Sequence, residues 1–375
     1  MLTAQEFKSA LVQKDRLLPG IHGLRGLAAL AVVLYHSQHL GGSTPPEFLN
    51  FIGRDFGYSV HLFFILSAFS LYYSTEPRIK HHNWLPEYFL KRFFRIAPLF
   101  YFIIAFEIGR QIVSAGKVIT DFNSILLNVT FTFGFVPFSG FVWGGWSVGV
   151  EMIFYVIFPL LLLTIRTHRS ALVLLVISIV ICYFIRSALH AQHVASIPQP
   201  RWDWSYFAFA SNMGFFAMGI YAYQLSRLCK GSILASRINP LFAVIIIGGF
   251  MFFDAGKYFH GDGRWDLVIW GLGLMALCVW QSISPTLIIA NRIFEYLGER
   301  SFSVYLLHPV VIVLSKDHLA RTYEALRPYL GANAFFVCAT LTIALVLVFA
   351  EFTYRLIEVP GIKFGRNLVT QWRLA

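Results

Sequence analysis

The chain has 375 residues, of which 57% are hydrophobic and 13% are charged, about half the ~25% charged share of an ordinary soluble domain. This composition excludes a water-soluble globule. The 30 Lys and Arg residues exceed the 19 Asp and Glu residues and give a formal charge of +11, but they lie between long apolar stretches, not along one polar face, which excludes a nucleic-acid footprint.

Ten apolar stretches are long enough to cross the ~30 Å hydrocarbon core of a bilayer, which takes about 20 helical residues. They are residues 21–40, 57–75, 93–115, 146–165, 171–190, 205–225, 239–255, 265–283, 300–315 and 334–357. This pattern predicts an all-α integral-membrane protein of about ten transmembrane helices. The polar connections are too short to form domains, so residues 1–375 are predicted to be a single polytopic membrane domain.

An eleventh stretch, 122–138, is short, contains several Asn and Thr residues and leads into a Gly-rich stretch. If it turns back without crossing, the side that holds the N-terminus has 19 loop Lys and Arg residues against 10 on the other side; if it crosses, the counts are 15 and 14. Lys and Arg concentrate in cytoplasmic loops. We therefore predict a re-entrant segment near 122–145, one wall of a cavity, and two cytoplasmic termini.

The first stretch carries two ionisable residues, Arg25 and His36. Eleven helical residues rise about 16 Å and rotate through nearly whole turns, so the two side chains share one helix face. Ionisable groups inside a membrane are costly and commonly mark function. The alternative is structural: Arg25 would reach lipid headgroups and His36 would be a hydrogen-bonded interfacial residue.

Arg92 and Arg95 open the third stretch at i, i+3 spacing and are therefore neighbours on one helix surface. Two such guanidinium groups can grip phosphates bidentately. Taken alone, they are better explained as a positively charged cytoplasmic anchor.

Glu151 is the only carboxylate in the fourth stretch, which begins with Trp146 and Ser147. Because an unpaired buried carboxylate is costly, we expect Glu151 to bond a histidine or an arginine. Trp146 could stack on a sugar ring, although aromatic belts place Trp at the same depth for physical reasons alone.

The remaining polar positions have simpler interpretations. His308, near Tyr305, is at least as well explained as a satisfied core histidine as by a catalytic role. Glu351, Arg355 and Glu358 have the spacing of a self-neutralising helix cluster. The four cysteines are scattered singly, which supports neither a disulfide framework nor a zinc site, and no metal is expected.

Six blocks, in order along most of the chain, resemble the membrane acyltransferase-3 family, whose members O-acylate carbohydrates and some other acceptors. The blocks are Gly23–Ala29 through His36, Leu62–Ser67, Arg92–Pro98, Trp146–Ser147 through Glu151 and Tyr155, Leu297–Gly298 through His308, and Glu358–Pro360. The sequence departs from the family pattern at three positions: His61 replaces the usual acidic residue, Ala68 a glycine and Gly149 a serine.

The resemblance implies transfer of an acyl group, often acetyl, from cytoplasmic acyl-CoA to a hydroxyl of a glycan or glycoside, in the inner membrane of a bacterium. Its partners would be a carbohydrate or glycolipid acceptor and membrane lipids, with no nucleic acid. The hypothesis assigns each candidate residue a role. His36, Glu151 and Arg25 are the catalytic residues: His36 is the general base, and Glu151 orients it or stabilises its imidazolium. Arg25 also binds the donor phosphates together with Arg92 and Arg95, and the acceptor is bound by Trp146, Ser147, Tyr305 and His308.

Three alternatives stay open at this point. The chain could be a transporter of an anionic or sugar-linked solute, although the internal repeats and paired broken helices common in transporters are not apparent. It could be an inactive scaffold, against which the presence of Arg25, His36 and Glu151 argues. Within an acyltransferase, an acyl-histidine intermediate is the main mechanistic variant.

Overall fold

The computed structural model describes residues 18–136, 139–196, 204–253 and 265–374, and these form helices and turns without a strand. Three of the 19 Lys and Arg residues counted on the side of the N-terminus, Lys8, Lys14 and Arg16, lie outside the described residues. The helices are α1 Pro19–Gly41, α2 Phe51–Asp55, α3 Ser59–Thr75, α4 Trp84–Ala115, α5 Phe122–Val129, α6 Trp146–Thr164, α7 His168–Ser196, α8 Trp204–Phe207, α9 Phe209–Cys229, α10 Ile233–Phe253, α11 Trp265–Ile283, α12 Arg292–Glu299, α13 Ser301–Leu330, α14 Ala334–Thr353 and α15 Val359–Leu374.

The all-helical prediction is confirmed, but the count of crossings is not. Each of the ten predicted stretches overlaps a helix of at least 17 residues. In the described ranges, however, five helical segments are long and apolar enough to cross a membrane. They are Glu47–Arg78, Trp84–Ala115, Trp146–Thr164, His168–Gln192 and Ser301–Gln371, and the last of these contains α13, α14 and most of α15.

Helix α1 occupies the centre of the helix assembly because it contacts α3, α11, α12, α13 and α14. Its approach to α12 and to the turn that precedes α12 is unusually close. A Cβ atom at Gly23 would overlap the carbonyl oxygen of Ile289, and one at Gly26 would overlap the carbonyl oxygen of Phe294. Both glycines are therefore required by backbone-to-backbone packing. They flank Arg25, so this packing fixes the position of that side chain.

The segment that begins at residue 122 contains one short helix. The eight residues of α5 rise about 12 Å, less than half of a bilayer core. Two residues after the helix ends, Phe131 has a positive φ of 59° and packs on Phe100 of α4. Phe133 then lies against Gly149 of α6, where a Cβ would come within 2.6 Å of its ring. Gly149, which replaces the serine of the family pattern, thus leaves space for the ring of Phe133.

The connection between α3 and α4 is fixed to a distant helix by Glu76. This carboxylate accepts a hydrogen bond from Tyr223 Oη at 2.5 Å and forms an ion pair with Arg227 at 3.0 Å. Both partners belong to α9. The connection therefore has a defined position beside the first turns of α4.

Candidate active site

His36, in the last turns of α1, pairs with His308 of α13. His308 Nε2 lies 3.1 Å from His36 Nδ1, and the ring centroids are 4.8 Å apart. His308 has no exposed surface, whereas His36 is half-buried. Helix packing thus brings together two predicted residues that are 272 positions apart in the sequence.

The partners of the two rings determine where their protons lie. His308 Nδ1 is 2.5 Å from the carbonyl oxygen of Tyr305, and a ring nitrogen must carry a proton to bond a carbonyl. In the neutral ring, His308 Nε2 is then an acceptor. His36 Nδ1 must donate to it, and the same N–H faces the carbonyl oxygen of Val32 at 3.1 Å. The other nitrogen of His36, Nε2, is left with its lone pair.

Ser147 and Tyr305 lie beside the histidine pair and bond to each other. Ser147 Oγ donates to Tyr305 Oη at 2.7 Å, and Tyr305 Oη donates to the carbonyl oxygen of Gly144 at 3.0 Å. Both side chains are buried. These bonds join α6, α13 and the end of the segment before α6. That segment therefore contacts the candidate site.

Trp146, half-buried at the start of α6, belongs to an aromatic group and does not contact the histidines. Its ring centroid lies 5.1 Å from that of Phe207, 5.4 Å from that of Tyr206 and 6.0 Å from that of Phe64. These separations are typical of edge-to-face and tilted packing. Trp146 lies beside the candidate site because it precedes Ser147, which bonds Tyr305.

The three predicted arginines gather at the other end of α1. Arg25 Nη2 donates to Ser70 Oγ at 3.3 Å, and Arg25 interacts electrostatically with Arg92 and Arg95. All three side chains are half-buried. Within the described ranges, none of them forms an ion pair with a carboxylate. The cluster therefore carries positive charge that protein groups compensate incompletely.

Glu151 faces this cluster, and its hydrogen-bond partners differ from the expected histidine or arginine. Its oxygen Oε1 accepts hydrogen bonds from Ser67 Oγ and, at 2.5 Å, from Tyr155 Oη. It also interacts electrostatically with Arg25. Hydroxyl groups satisfy the carboxylate because Tyr155 is one helical turn further along α6 and Ser67 of α3 faces it. Glu151 is therefore placed beside the arginine cluster.

Sequence reasoning missed Ser67, Ser70 and Tyr155 as partners, and it missed that His308 bonds His36. The i, i+4 spacing of Glu151 and Tyr155 was a usable signal. The contacts between different helices had no such signal. In the described part of the chain, no group of three or more His, Cys, Asp or Glu side chains is suited to hold a metal.

Comparison with known proteins identifies the family. A family model described as an acyltransferase domain matches residues 18–351. The chain belongs to this acyltransferase-3 family. The match contains His36, Glu151, His308 and the three arginines of the cluster, so the whole candidate site lies within the acyltransferase-3 domain.

Curated relatives from Staphylococcus aureus match most of the chain at low identity. The protein named "Putative O-acetyltransferase SACOL0978", from strain COL, is 23% identical over 396 residues, covering 96% of this chain and 60% of that protein. "O-acetyltransferase OatA", from strain NCTC 8325 / PS 47, is 25% identical over 380 residues, covering 93% of this chain and 58% of that protein. The chain thus spans about three fifths of the length of these relatives. No solved structure matches it.

Proposed function

We propose that the protein is an integral-membrane O-acyltransferase that moves an acyl group from acyl-CoA to a hydroxyl of an envelope glycan or glycoside. The observation that carries this proposal is that α1 contributes to two candidate sites, one towards each of its ends. An incompletely compensated guanidinium cluster surrounds Arg25, and His36, with a free Nε2 lone pair, lies about 16 Å further along the helix. The names of the relatives favour acetyl as the acyl group.

The arginine cluster would bind the phosphates of the donor. A buried or half-buried charge is costly unless an opposite charge accompanies it, and a phosphate supplies two or more oxygens to a guanidinium group. Glu151 would set the position of Arg25, and the pantetheine arm would carry the thioester from the cluster towards His36. Acceptor binding is assigned to Trp146, Ser147 and Tyr305, beside the histidine pair.

Transfer then needs one base. His36 Nε2 removes the proton of the acceptor hydroxyl as the hydroxyl oxygen attacks the thioester carbonyl carbon. The new C–O bond forms, the C–S bond breaks, and the proton on Nε2 passes to the departing thiolate, which leaves as free CoA. His308 acts as a positioning residue because its Nε2 accepts the hydrogen bond from the Nδ1–H group of His36. In the acyl-histidine variant, the same Nε2 lone pair attacks the thioester first.

Orientation follows from the charge distribution of the loops. With about ten crossings and cytoplasmic termini, the arginine cluster faces the cytoplasm, where acyl-CoA is made, and the His36 end of α1 faces the outer side. We assign the protein to the inner membrane of a bacterium. The donor then enters from one side and the acceptor from the other.

The test uses membranes that contain the protein and acetyl-CoA labelled in the acetyl group. His36→Ala should lower label transfer to glycan by at least about 10²-fold, the usual contribution of a general base. His39→Ala is the matched control, because His39 lies one turn further along α1, is exposed and bonds only its own helix among the described residues. Full activity in His36→Ala would refute the mechanism, and solute flux without acetyl-CoA consumption would favour a transporter.

A further inference from the structure

A cationic cleft lies between the α3–α4 connection and the first turns of α4. It encloses about 350 Å³ of free space, including its open mouth. Its walls are Thr75, Arg78, His81, Trp84, Glu87, Tyr88, Lys91 and Arg92. The connection has a defined position because Glu76 is bonded to α9, and this position fixes one wall of the cleft.

The charges of the cleft favour an anion. Arg78, Lys91 and Arg92 supply three positive charges against the one negative charge of Glu87, which pairs with Lys91 at 3.1 Å. The Nε atom of Arg92 is buried and has no hydrogen-bond partner in the described part of the chain. Trp84 adds a half-buried aromatic surface to the same walls. Cations beside an aromatic face suit a ligand with phosphates and a flat ring.

The cleft also continues into the arginine cluster. Trp84, Tyr88, Arg92 and Arg95 are spaced at four, four and three residues along α4, which places them on one helix face. Arg92 lines the cleft and interacts electrostatically with Arg25 at the same time. A ligand with phosphates at two places could therefore occupy both the cleft and the cluster.

We propose that this cleft binds the nucleotide end of acyl-CoA, a 3′-phosphorylated adenosine diphosphate. Trp84 stacks on the adenine ring, Arg78 and Lys91 bind the ribose 3′-phosphate, and Arg92 binds the diphosphate that enters the arginine cluster. This assignment rests on the proposed function for the identity of the ligand. It adds the residues that distinguish coenzyme A from shorter thioesters.

The test measures equilibrium binding of CoA and dephospho-CoA to the full chain in detergent, without an acceptor. Native protein should bind CoA about tenfold more tightly than dephospho-CoA, the value of one charge-assisted contact. Arg78→Gln should abolish this difference, and Trp84→Ala should weaken both ligands. Lys117→Gln, which removes an exposed charge beyond the far end of α4, should change neither. Turnover of acetyl-pantetheine, which lacks the nucleotide, should be the same in all three variants.

Two results would overturn the cleft assignment. One is native protein binding CoA and dephospho-CoA equally tightly, or the Arg78→Gln and Trp84→Ala variants each binding both ligands as native protein does. The other is displacement of CoA by phosphatidylglycerol in mixed micelles at matched phosphate, which would assign the cleft to lipid headgroups. Binding in the His36→Ala variant separates the two proposals. If that variant keeps acyl transfer yet still discriminates CoA from dephospho-CoA, the mechanism fails and the cleft stands.

Discussion

His308 is the residue whose contacts most change the interpretation of the sequence. It has no exposed surface, and its two ring nitrogens face Tyr305 and His36. A histidine in this position leaves no nitrogen for an acceptor molecule. We therefore interpret His308 as the residue that orients the base, although the sequence suggested that it binds the acceptor or only fills the core.

The first prediction concerns this positioning role. His308→Ala should lower kcat about 10²-fold or more, because the Nε2 lone pair of His36 is then no longer fixed towards the substrate. KM for acetyl-CoA should stay within about twofold, since the arginine cluster is unchanged. Steady-state kinetics with labelled donor measure both values.

Tyr305→Phe is the control for His308→Ala. It removes the Oη bonds to Ser147 and Gly144 but keeps the backbone carbonyl that accepts from His308. Its kcat should therefore fall much less. Equal losses in the two variants would mean that the whole region, and not the tautomer of His36, limits the rate.

The second prediction separates the two roles considered for Glu151. The structure bonds this carboxylate to Ser67 and Tyr155 and brings it near Arg25. Glu151→Gln should therefore raise KM for acetyl-CoA about tenfold with a smaller loss of kcat, because the carboxylate no longer sets the position of Arg25 for the donor phosphates. A large loss of kcat at unchanged KM would instead support orientation of His36 by Glu151.

At the scale of single residues, spacing along one helix was informative and contacts between helices were not. The eleven-residue interval placed Arg25 and His36 on one face of α1, and both now lie in candidate sites on that helix. Ser67, which bonds Glu151, comes from α3, and His308, which bonds His36, comes from α13. Which side chains meet across helices depends on packing angles and offsets that periodicity does not encode.

At the scale of helices, the close contact between α1 and α12 gives the third prediction. Gly26→Ala should lower the free energy of unfolding by about 1–3 kcal/mol, because the added Cβ overlaps the carbonyl oxygen of Phe294 and forces α12 away. Acyl transfer should fall as well, since Arg25 moves with α1. Thermal unfolding in detergent, followed by tryptophan fluorescence, measures the loss of stability.

Gly109→Ala is the matched helix control. Gly109 lies within α4, and a Cβ there meets nothing within 4 Å. Alanine should therefore be neutral or stabilising by up to about 1 kcal/mol, its helix-propensity advantage over glycine. If Gly26→Ala were equally harmless, the backbone contact between α1 and α12 would not support the position of Arg25.

The end of α14 shows a second limit of helical periodicity. The spacing of Glu351, Arg355 and Glu358 predicted one self-neutralising cluster, and Glu351 does pair with Arg355 and with Arg300. Glu358 is separate: it is buried and accepts a hydrogen bond from Ser303 at 2.7 Å. The reason is a π-helical turn over Tyr354–Glu358, whose wider turn removes the i, i+3 register.

At the scale of the whole molecule, hydropathy located the long helices but not their number of crossings. The ten predicted stretches coincide with long helices, whereas five segments of the described residues meet the length and composition of a span. Hydropathy fails where helices are buried in protein. Helix α1, for example, places glycines, Arg25 and His36 against neighbouring helices. Such residues lower the mean hydropathy of a helix that contacts protein and not lipid.

The fourth prediction concerns topology and uses introduced cysteines labelled by a membrane-impermeant maleimide. Of the native cysteines, Cys182, Cys278 and Cys338 are buried and Cys229 is half-buried. The Cys229→Ser protein should therefore show little maleimide labelling of its native thiols. Each of three variants places a thiol at an exposed position: Lys80→Cys before α4, Lys117→Cys after α4 and Arg169→Cys at the start of α7. Intact cells should label only Lys117→Cys, and the other two variants should react after lysis.

Arg169→Cys decides whether the segment around α5 crosses the membrane. If the chain re-enters there, α6 returns to the cytoplasm and position 169 is protected in intact cells, in agreement with the excess of Lys and Arg on that side. If the segment crosses, position 169 is labelled together with position 117. The cytoplasmic entry of the donor depends only on the earlier loop, because Lys80 lies between Arg78 and His81, which line the cleft. Labelling of Lys80→Cys in intact cells would therefore place the arginine cluster on the outer side and contradict the donor route.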